Sequence, residues 1–199
     1  MLPSAVARRF RRGLHTSKFY IDGAWRAPTS NQTLTITNPS TGTPIAALAM
    51  GTTADADAAV AAAFAAQESW ASTAKAERLT LLNRLASLYE ARSLEMANCI
   101  SQEMGAPHRL AKNAQTAAGL MHIKTFVKVL EEFEFEDRAS LGSKEIILHE
   151  PLGVCACITP WNWPGGAQGC AGSRRGQYRR AQAERGRPAV VAALRRARR

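Results

Sequence analysis

The sequence predicts an α/β fold: short strands come first, three helices follow, and strands return before an arginine-rich tail. Three observations support this prediction. Extended runs separated by turn residues occupy residues 19–50, apolar residues recur at helical spacing between about 52 and 133, and a short apolar run at 153–158 ends at a proline. This order is typical of the opening of an α/β domain, and 199 residues are enough for a core of ordinary size.

The amino-terminal strands are predicted from their turns. Residues 19–25 (Phe-Tyr-Ile-Asp-Gly-Ala-Trp) contain an Asp-Gly pair between two extended runs, which indicates a β-hairpin. Residues 33–37 alternate in polarity, and residues 38–42 (Asn-Pro-Ser-Thr-Gly) form a turn before the extended run at 44–50. We therefore expect two short pairs of strands.

Three helices are predicted next. Thr52 followed by Asp55 is typical of a capping box, and one face of the helix behind it would carry Val60, Phe64, Gln67 and Trp70. A second helix is predicted over residues 75–104, with a face formed by Leu81, Leu85, Leu88, Arg92, Met96 and Cys99. A third is predicted over 111–133, with Leu120, Phe126, Val127 and Leu130 as apolar members, and strands return at 145–149 and 154–159.

The formal charge of +10 lies at the two ends of the chain. Residues 1–18 carry +5, residues 165–199 carry +9, and the segment between them is mildly acidic at −4. A nucleic-acid-binding domain more often has a basic face in its folded part, so this distribution disfavours a nucleic-acid partner. No apolar run is long enough to cross a membrane.

Residues 1–18 are rich in arginine, poor in acids and contain spaced apolar residues. This composition is typical of a transit peptide and predicts the mitochondrial matrix as the location. The alternative is a plain basic terminus on a cytoplasmic protein.

The cysteines and histidines form no metal-binding pattern. Cys155 and Cys157 lie two residues apart on a predicted strand, and Cys99 and Cys170 are isolated. We interpret them as buried structural thiols in a reducing compartment.

The loop at residues 158–164 (Ile-Thr-Pro-Trp-Asn-Trp-Pro) follows the last predicted strand. Together with residues 19–25, 38–42, 103–107 (Glu-Met-Gly-Ala-Pro) and 150–154 (Glu-Pro-Leu-Gly-Val), it resembles the amino-terminal part of NAD(P)-dependent aldehyde dehydrogenases. The resemblance covers about residues 19–164, in the order and spacing of that family. It implies an incomplete aldehyde dehydrogenase-like, Rossmann-like NAD-binding domain, although the chain has no G-x-G-x-x-G loop, which this family also lacks.

The resemblance implies a specific chemistry. In the family, a cysteine thiolate attacks the aldehyde, a hydride passes from the thiohemiacetal to the nicotinamide, and water releases the carboxylic acid. Asn162 matches the asparagine whose side-chain amide stabilises the negative charge on the aldehyde oxygen, although a turn-stabilising asparagine is the alternative. By the same resemblance, the residues that line the cleft for NAD or NADP are Ile158, Thr159, Pro160 and Trp161. A core role for Trp161 remains open.

After Pro164 the sequence departs from the family. Members continue with a helix, a strand and a Lys-Pro-Ser-Glu segment, whereas this chain has Gly-Gly-Ala-Gln-Gly and then the arginine-rich tail. The codons of residues 176–183 can be chosen from the G- and C-rich synonyms of each amino acid. When these codons are read one base out of frame, they encode Gly-Asn-Thr-Val-Val-Leu-Lys-Pro. We therefore expect three segments: a targeting-like segment at 1–18, the family segment at 19–164, and an out-of-frame, disordered tail at 165–199.

These expectations carry a consequence for activity. No cysteine of this sequence matches the family's nucleophile, so we expect the chain alone to be inactive. The partners implied are a small-molecule aldehyde and either a second copy or full-length aldehyde dehydrogenase subunits. Two other classes of function remain: a non-catalytic fragment that binds such subunits, and a nucleic-acid binder that uses the arginine tail.

Overall fold

The structure of the protein is a computed structural model that describes residues 18–137, 146–158, 162–163 and 179–182. The strands in these residues are β1 (Phe19–Ile21), β2 (Ala24–Arg26), β3 (Thr33–Thr37), β4 (Pro44–Ala49), β5 (Glu136–Asp137), β6 (Ile147–Leu148), β7 (Cys155–Ile158) and β8 (Arg179–Gln182). The helices are α1 (Thr53–Ala65), α2 (Gln67–Ala71), α3 (Lys75–Ala91), α4 (Ser93–Met104), α5 (His108–Leu110), a π-helical turn (Ala111–Thr116) and α6 (Ala117–Glu132). The predicted mixed α/β fold is confirmed.

Both amino-terminal hairpins form where the turns predict them. β1 pairs antiparallel with β2, and Asp22 and Gly23 have φ angles of 53° and 72°, the positive values that a tight Asp-Gly hairpin turn requires. β3 pairs antiparallel with β4. The Asn38 side chain accepts a hydrogen bond from the Ser40 amide at 2.9 Å, which fixes the turn between those two strands.

The predicted capping box at the start of α1 is also confirmed. The Thr52 amide donates to the Asp55 carboxylate at 2.9 Å, and the Asp55 amide donates to the Thr52 hydroxyl at 3.4 Å. The same carboxylate accepts from the amide and the hydroxyl of Thr29 at 3.0 and 2.9 Å. Asp55 is buried, and burial raises the pKa of its carboxyl, but the hydrogen bonds from Thr52 and Thr29 outweigh burial and leave this pKa below its usual value.

Asp55→Asn is expected to lower the free energy of unfolding at pH 7 by about 1 kcal/mol, because the variant loses the charge-assisted acceptor of the cap. Since the pKa of Asp55 is depressed in the folded state, its contribution is complete above the unfolded pKa of about 3.9 and is lost as pH falls through the folded pKa. Urea unfolding at a series of pH values should therefore show the two proteins converging in acid. Asp57→Asn, at an exposed position of the same helix, should change stability little, and a constant difference at every pH would contradict the assignment.

The second predicted helix is two helices. The chain bends at Arg92, whose φ and ψ angles are −109° and 12°, and α4 begins at the next residue. The Arg92 guanidinium binds both carboxylate oxygens of Glu95 at 2.9 and 2.7 Å across the bend. The bend allows α3 and α4 to bury residues in the same core.

The buried face of α3 lies one residue away from the predicted face. Leu82, Ala86 and Tyr89 are buried, whereas Leu81, which was predicted to face the core, is 43% exposed. Leucines occupy several sides of this helix, so helical spacing alone cannot select between two neighbouring faces.

The other helix predictions are confirmed in part. Val127 and Leu130 of α6 are buried as predicted, with Leu120 and Phe126 packed at the edge of the core. The predicted first helix ends at Ala65, and Phe64 is 59% exposed. Alanines surround Phe64 in the sequence, so the segment offers few large side chains to define a buried face.

β7 pairs in parallel with β8, with Cys155 opposite Arg179 and Ile158 opposite Gln182. β8 lies in the segment for which the composition predicts disorder, so the structure differs from that expectation at these four residues. Parallel pairing uses main-chain hydrogen bonds, which do not depend on large apolar side chains. No helix in the described ranges is long and apolar enough to span a membrane.

The main core lies between α3, α4, the π-helical turn and α6. Its fully buried members include Ala97, Ile100 and Ala111, and Ile123 completes it from α6. One residue of this helical region, Gln115, contacts the predicted site residue Asn162.

Candidate functional site

The structure describes only part of the predicted site. Asn162 is half-buried in a turn, and Ile158 is the last residue of β7. Thr159, Pro160 and Trp161 lie outside the described residues. Because β7 is half of a parallel pair, Asn162 follows the carboxyl end of a parallel strand, which is where ligands bind in open α/β sheets.

The Asn162 main chain is held by a glutamine from the helical core. Gln115 Nε2 donates a hydrogen bond to the Asn162 carbonyl oxygen at 2.5 Å, and it also contacts Met104 Sδ at 3.1 Å. Gln115 is only 3% exposed, while Trp163, next to Asn162, is 43% exposed. Of the two described loop residues, Asn162 is therefore held through its carbonyl oxygen and Trp163 is open to solvent.

A π-helical turn presents this glutamine. In a π-helical turn each main-chain N–H donates to the carbonyl oxygen five residues earlier, instead of four as in an α-helix. Such turns are frequent at functional sites. The Tyr89 hydroxyl of α3 donates to the Thr116 carbonyl oxygen at 3.1 Å, which satisfies a main-chain acceptor at the end of the turn. The sequence analysis missed Gln115, because a lone glutamine in a run of small residues carries no pattern of its own.

The motif at residues 103–107 supports the same region. Gly105 ends α4 with a φ angle of 76°, and a Cβ atom there would lie 2.7 Å from Pro39 Cγ. Only glycine tolerates both the positive φ and this close approach. The motif at 103–107 thus contacts the turn at 38–42, and it places Met104 against Gln115.

The described cysteines do not provide an evident nucleophile. Cys99 is 1% exposed, and burial raises the pKa of its thiol to about 12, with the nearby Glu103 and Glu95 carboxylates acting in the same direction. Cys155 and Cys157 are half-buried within β7 rather than fully buried as predicted. Cys170 lies outside the described residues, and no metal-binding cluster of His, Cys, Asp and Glu occurs in the part that the structure describes.

A shallow groove on the surface of α6 is a poor alternative site. It offers two amines and one hydroxyl but no carboxylate, thiol or imidazole for acid–base or nucleophilic chemistry. Its lining comprises Ala117, Leu120, Met121, Lys124, Thr125 and Lys128.

Comparison with known proteins gives a consistent result. The sequence profile described as "Aldehyde dehydrogenase family" matches residues 25–168. The 3-succinoylsemialdehyde-pyridine dehydrogenase of a Pseudomonas species is 40% identical over 148 residues, which are 74% of this chain and 30% of that protein. The chain therefore spans about a third of the length of its curated relatives.

Solved structures resemble the chain over the same portion. An aldehyde dehydrogenase from Bartonella henselae superposes with a TM-score of 0.87 at 36% identity, covering 92% of this chain and 39% of that chain. A variant of aldehyde dehydrogenase C from Pseudomonas syringae, solved with NAD+ and octanal, superposes with a TM-score of 0.84 at 34% identity, covering 92% and 38%.

Proposed function

The chain belongs to the aldehyde dehydrogenase family, and we propose that it supplies the amino-terminal part of an enzyme that oxidises an aldehyde to a carboxylic acid with NAD(P)+. The observation that carries this proposal is the position of Asn162. It follows the carboxyl end of a parallel strand and its carbonyl oxygen is held by the helical core, and the resemblance of residues 158–164 matches it to the family's asparagine.

The proposed role of Asn162 is to donate its side-chain amide to the aldehyde oxygen as negative charge develops on it. An amide suits this role because it is a neutral donor and neither repels nor traps an attacking thiolate. The Asn162 carbonyl oxygen is held by Gln115, which limits movement of the main chain that carries this side chain.

The proposed cofactor, NAD or NADP, would accept a hydride when bound. The place of the Asn162 loop after β7 supports the proposal, since ligands of α/β sheets bind outside the carboxyl ends of parallel strands. Ile158, at the end of β7, would line this position together with Thr159, Pro160 and Trp161. The relative solved with NAD+ supports the assignment of the cofactor class.

A hybrid enzyme tests the proposal. Residues 19–163 of this chain would replace the matching segment of the Pseudomonas syringae enzyme in its unsubstituted form, which keeps the cysteine that the solved variant replaces by alanine and supplies the rest of the enzyme. NAD+-dependent oxidation of octanal by the hybrid is the expected result. A folded hybrid that binds NAD+ but does not turn over would contradict the proposal.

We also propose that the tail is read out of frame. β8 occupies residues 179–182, the positions at which the shifted frame would encode Val-Val-Leu-Lys, a β-forming sequence. This position agrees with the resemblance, in which family members have a strand just before the Lys-Pro-Ser-Glu segment. Sequencing the transcript across the Pro164 codon decides the question, and an uninterrupted frame in every transcript would refute it.

A second candidate function is a non-catalytic fragment that binds aldehyde dehydrogenase subunits. It is favoured by exposed apolar residues near the end of the family segment: Leu148 is 57% exposed and Leu152 is 66% exposed. This function predicts that the chain co-purifies with an intact family member and that the association is lost when both leucines are replaced by serine. An inert fragment would not co-purify.

A further inference from the structure

We infer that Gln115 is a positioning residue for Asn162, an inference that rests on the proposed role of the Asn162 amide. The contact joins a buried side chain of the π-helical turn to the main chain of the loop, at 2.5 Å. It links two parts of the sequence that are 47 residues apart.

The orientation of the Gln115 amide follows from its surroundings. If the amide were flipped, Gln115 Oε1 would face the Asn162 carbonyl oxygen, and two acceptors at this distance repel each other. The nitrogen must therefore point at the loop. The Oε1 atom on the other side is buried and has no hydrogen-bond partner within the described ranges.

That unpaired oxygen argues against a packing role alone. An apolar side chain of similar length, such as methionine, would fill the same space without leaving a buried acceptor unsatisfied. What methionine cannot do is donate to the Asn162 carbonyl. The donor group is thus the property that distinguishes glutamine from an apolar residue at this position.

The support behind Gln115 is rigid. Tyr89 of α3 holds the end of the π-helical turn, and α4 packs against the turn through the main core. A donor fixed in this way restricts the peptide plane between Asn162 and Trp163, and the direction of the Asn162 side chain depends on that plane. Active-site donors generally need such support to keep a productive geometry.

A selective isotope label tests the contact in the full chain. Asn162 and Trp163 form the only Asn-Trp pair in the sequence, so protein labelled with carbonyl-13C asparagine and 15N tryptophan gives a single carbonyl-to-amide correlation in an NMR spectrum. In the wild-type chain, the carbonyl resonance is expected downfield of its position in the urea-unfolded chain, because the oxygen accepts a hydrogen bond. This measurement needs no variant.

Gln115→Met removes the donor and is expected to move this resonance upfield or to split it. Met104→Leu is the matched control, because it alters the other contact of the same nitrogen and leaves the Asn162 carbonyl paired. An unchanged resonance in a folded Gln115→Met protein, or a wild-type resonance at the unfolded position, would overturn the inference.

The melting temperature serves as the second measurement. A merely structural role would lower it in both the Gln115→Met and Met104→Leu variants and leave the side-chain amide resonances of Asn162 in place, whereas a positioning role moves these resonances in Gln115→Met alone. The result does not depend on turnover. The hybrid enzyme can therefore be inactive while the NMR experiment shows this contact. Equally, the hybrid enzyme can be active while the NMR experiment shows no contact.

Discussion

The purified 199-residue chain is expected to show no NAD(P)+-dependent oxidation of aldehydes. The family reaction begins with attack by a cysteine thiolate, and Cys99 is buried with the pKa of its thiol raised to about 12. The family resemblance also matches none of the four cysteines of this sequence to the nucleophile position. Loss of an enzyme nucleophile typically lowers kcat by about 10⁶-fold, which places the rate below detection. The measurement is the absorbance of the reduced nicotinamide with octanal and other aldehydes as substrates.

The relative from Pseudomonas syringae, in its form with an intact nucleophile, is the positive control under the same conditions. A Cys99→Ala variant provides the internal control, since it should behave like the parent chain. The expectation would be refuted if the purified chain oxidised aldehydes. If this activity persisted in Cys99→Ala but was lost after alkylation of the thiols, the nucleophile would be another cysteine.

Asn162→Ala in the hybrid enzyme is expected to lower kcat by about 10²–10³-fold, or about 2.7–4 kcal/mol, the usual cost of removing one oxyanion donor. The effect should fall on kcat rather than on KM, because the donor acts on charge that develops only in the transition state. Steady-state kinetics with octanal and NAD+ measures both.

Asn83→Ala is the matched control, because Asn83 is exposed on α3, in a helix of the same segment. This variant should keep the kinetics of the hybrid. A loss confined to KM in Asn162→Ala would assign this residue to substrate binding, and an unchanged kcat would remove it from the proposed chemistry.

The local features of the fold could be predicted because each depends on a few neighbouring residues. The Asp-Gly turn between β1 and β2 requires only two residues that tolerate positive φ. The capping box requires only Thr52 and Asp55, three positions apart. What the sequence did not indicate is that Thr29 shares the Asp55 carboxylate, since that partner is 26 residues away.

The sequence indicated the loop of the candidate site but not its support. Residues 158–164 carried the family resemblance, and Asn162 could be singled out from them. Gln115 could not, because its importance arises from a π-helical turn that brings one amide nitrogen to a distant carbonyl.

The sequence by itself determined the family, the two amino-terminal hairpins, and the turn and cap residues, since these depend on composition and short-range spacing. Only the tertiary structure decided which face of α3 is buried, where the helix over residues 75–104 bends, and which side chain holds the Asn162 loop. Those choices depend on how separate elements pack around one core, and helical spacing is compatible with more than one such packing.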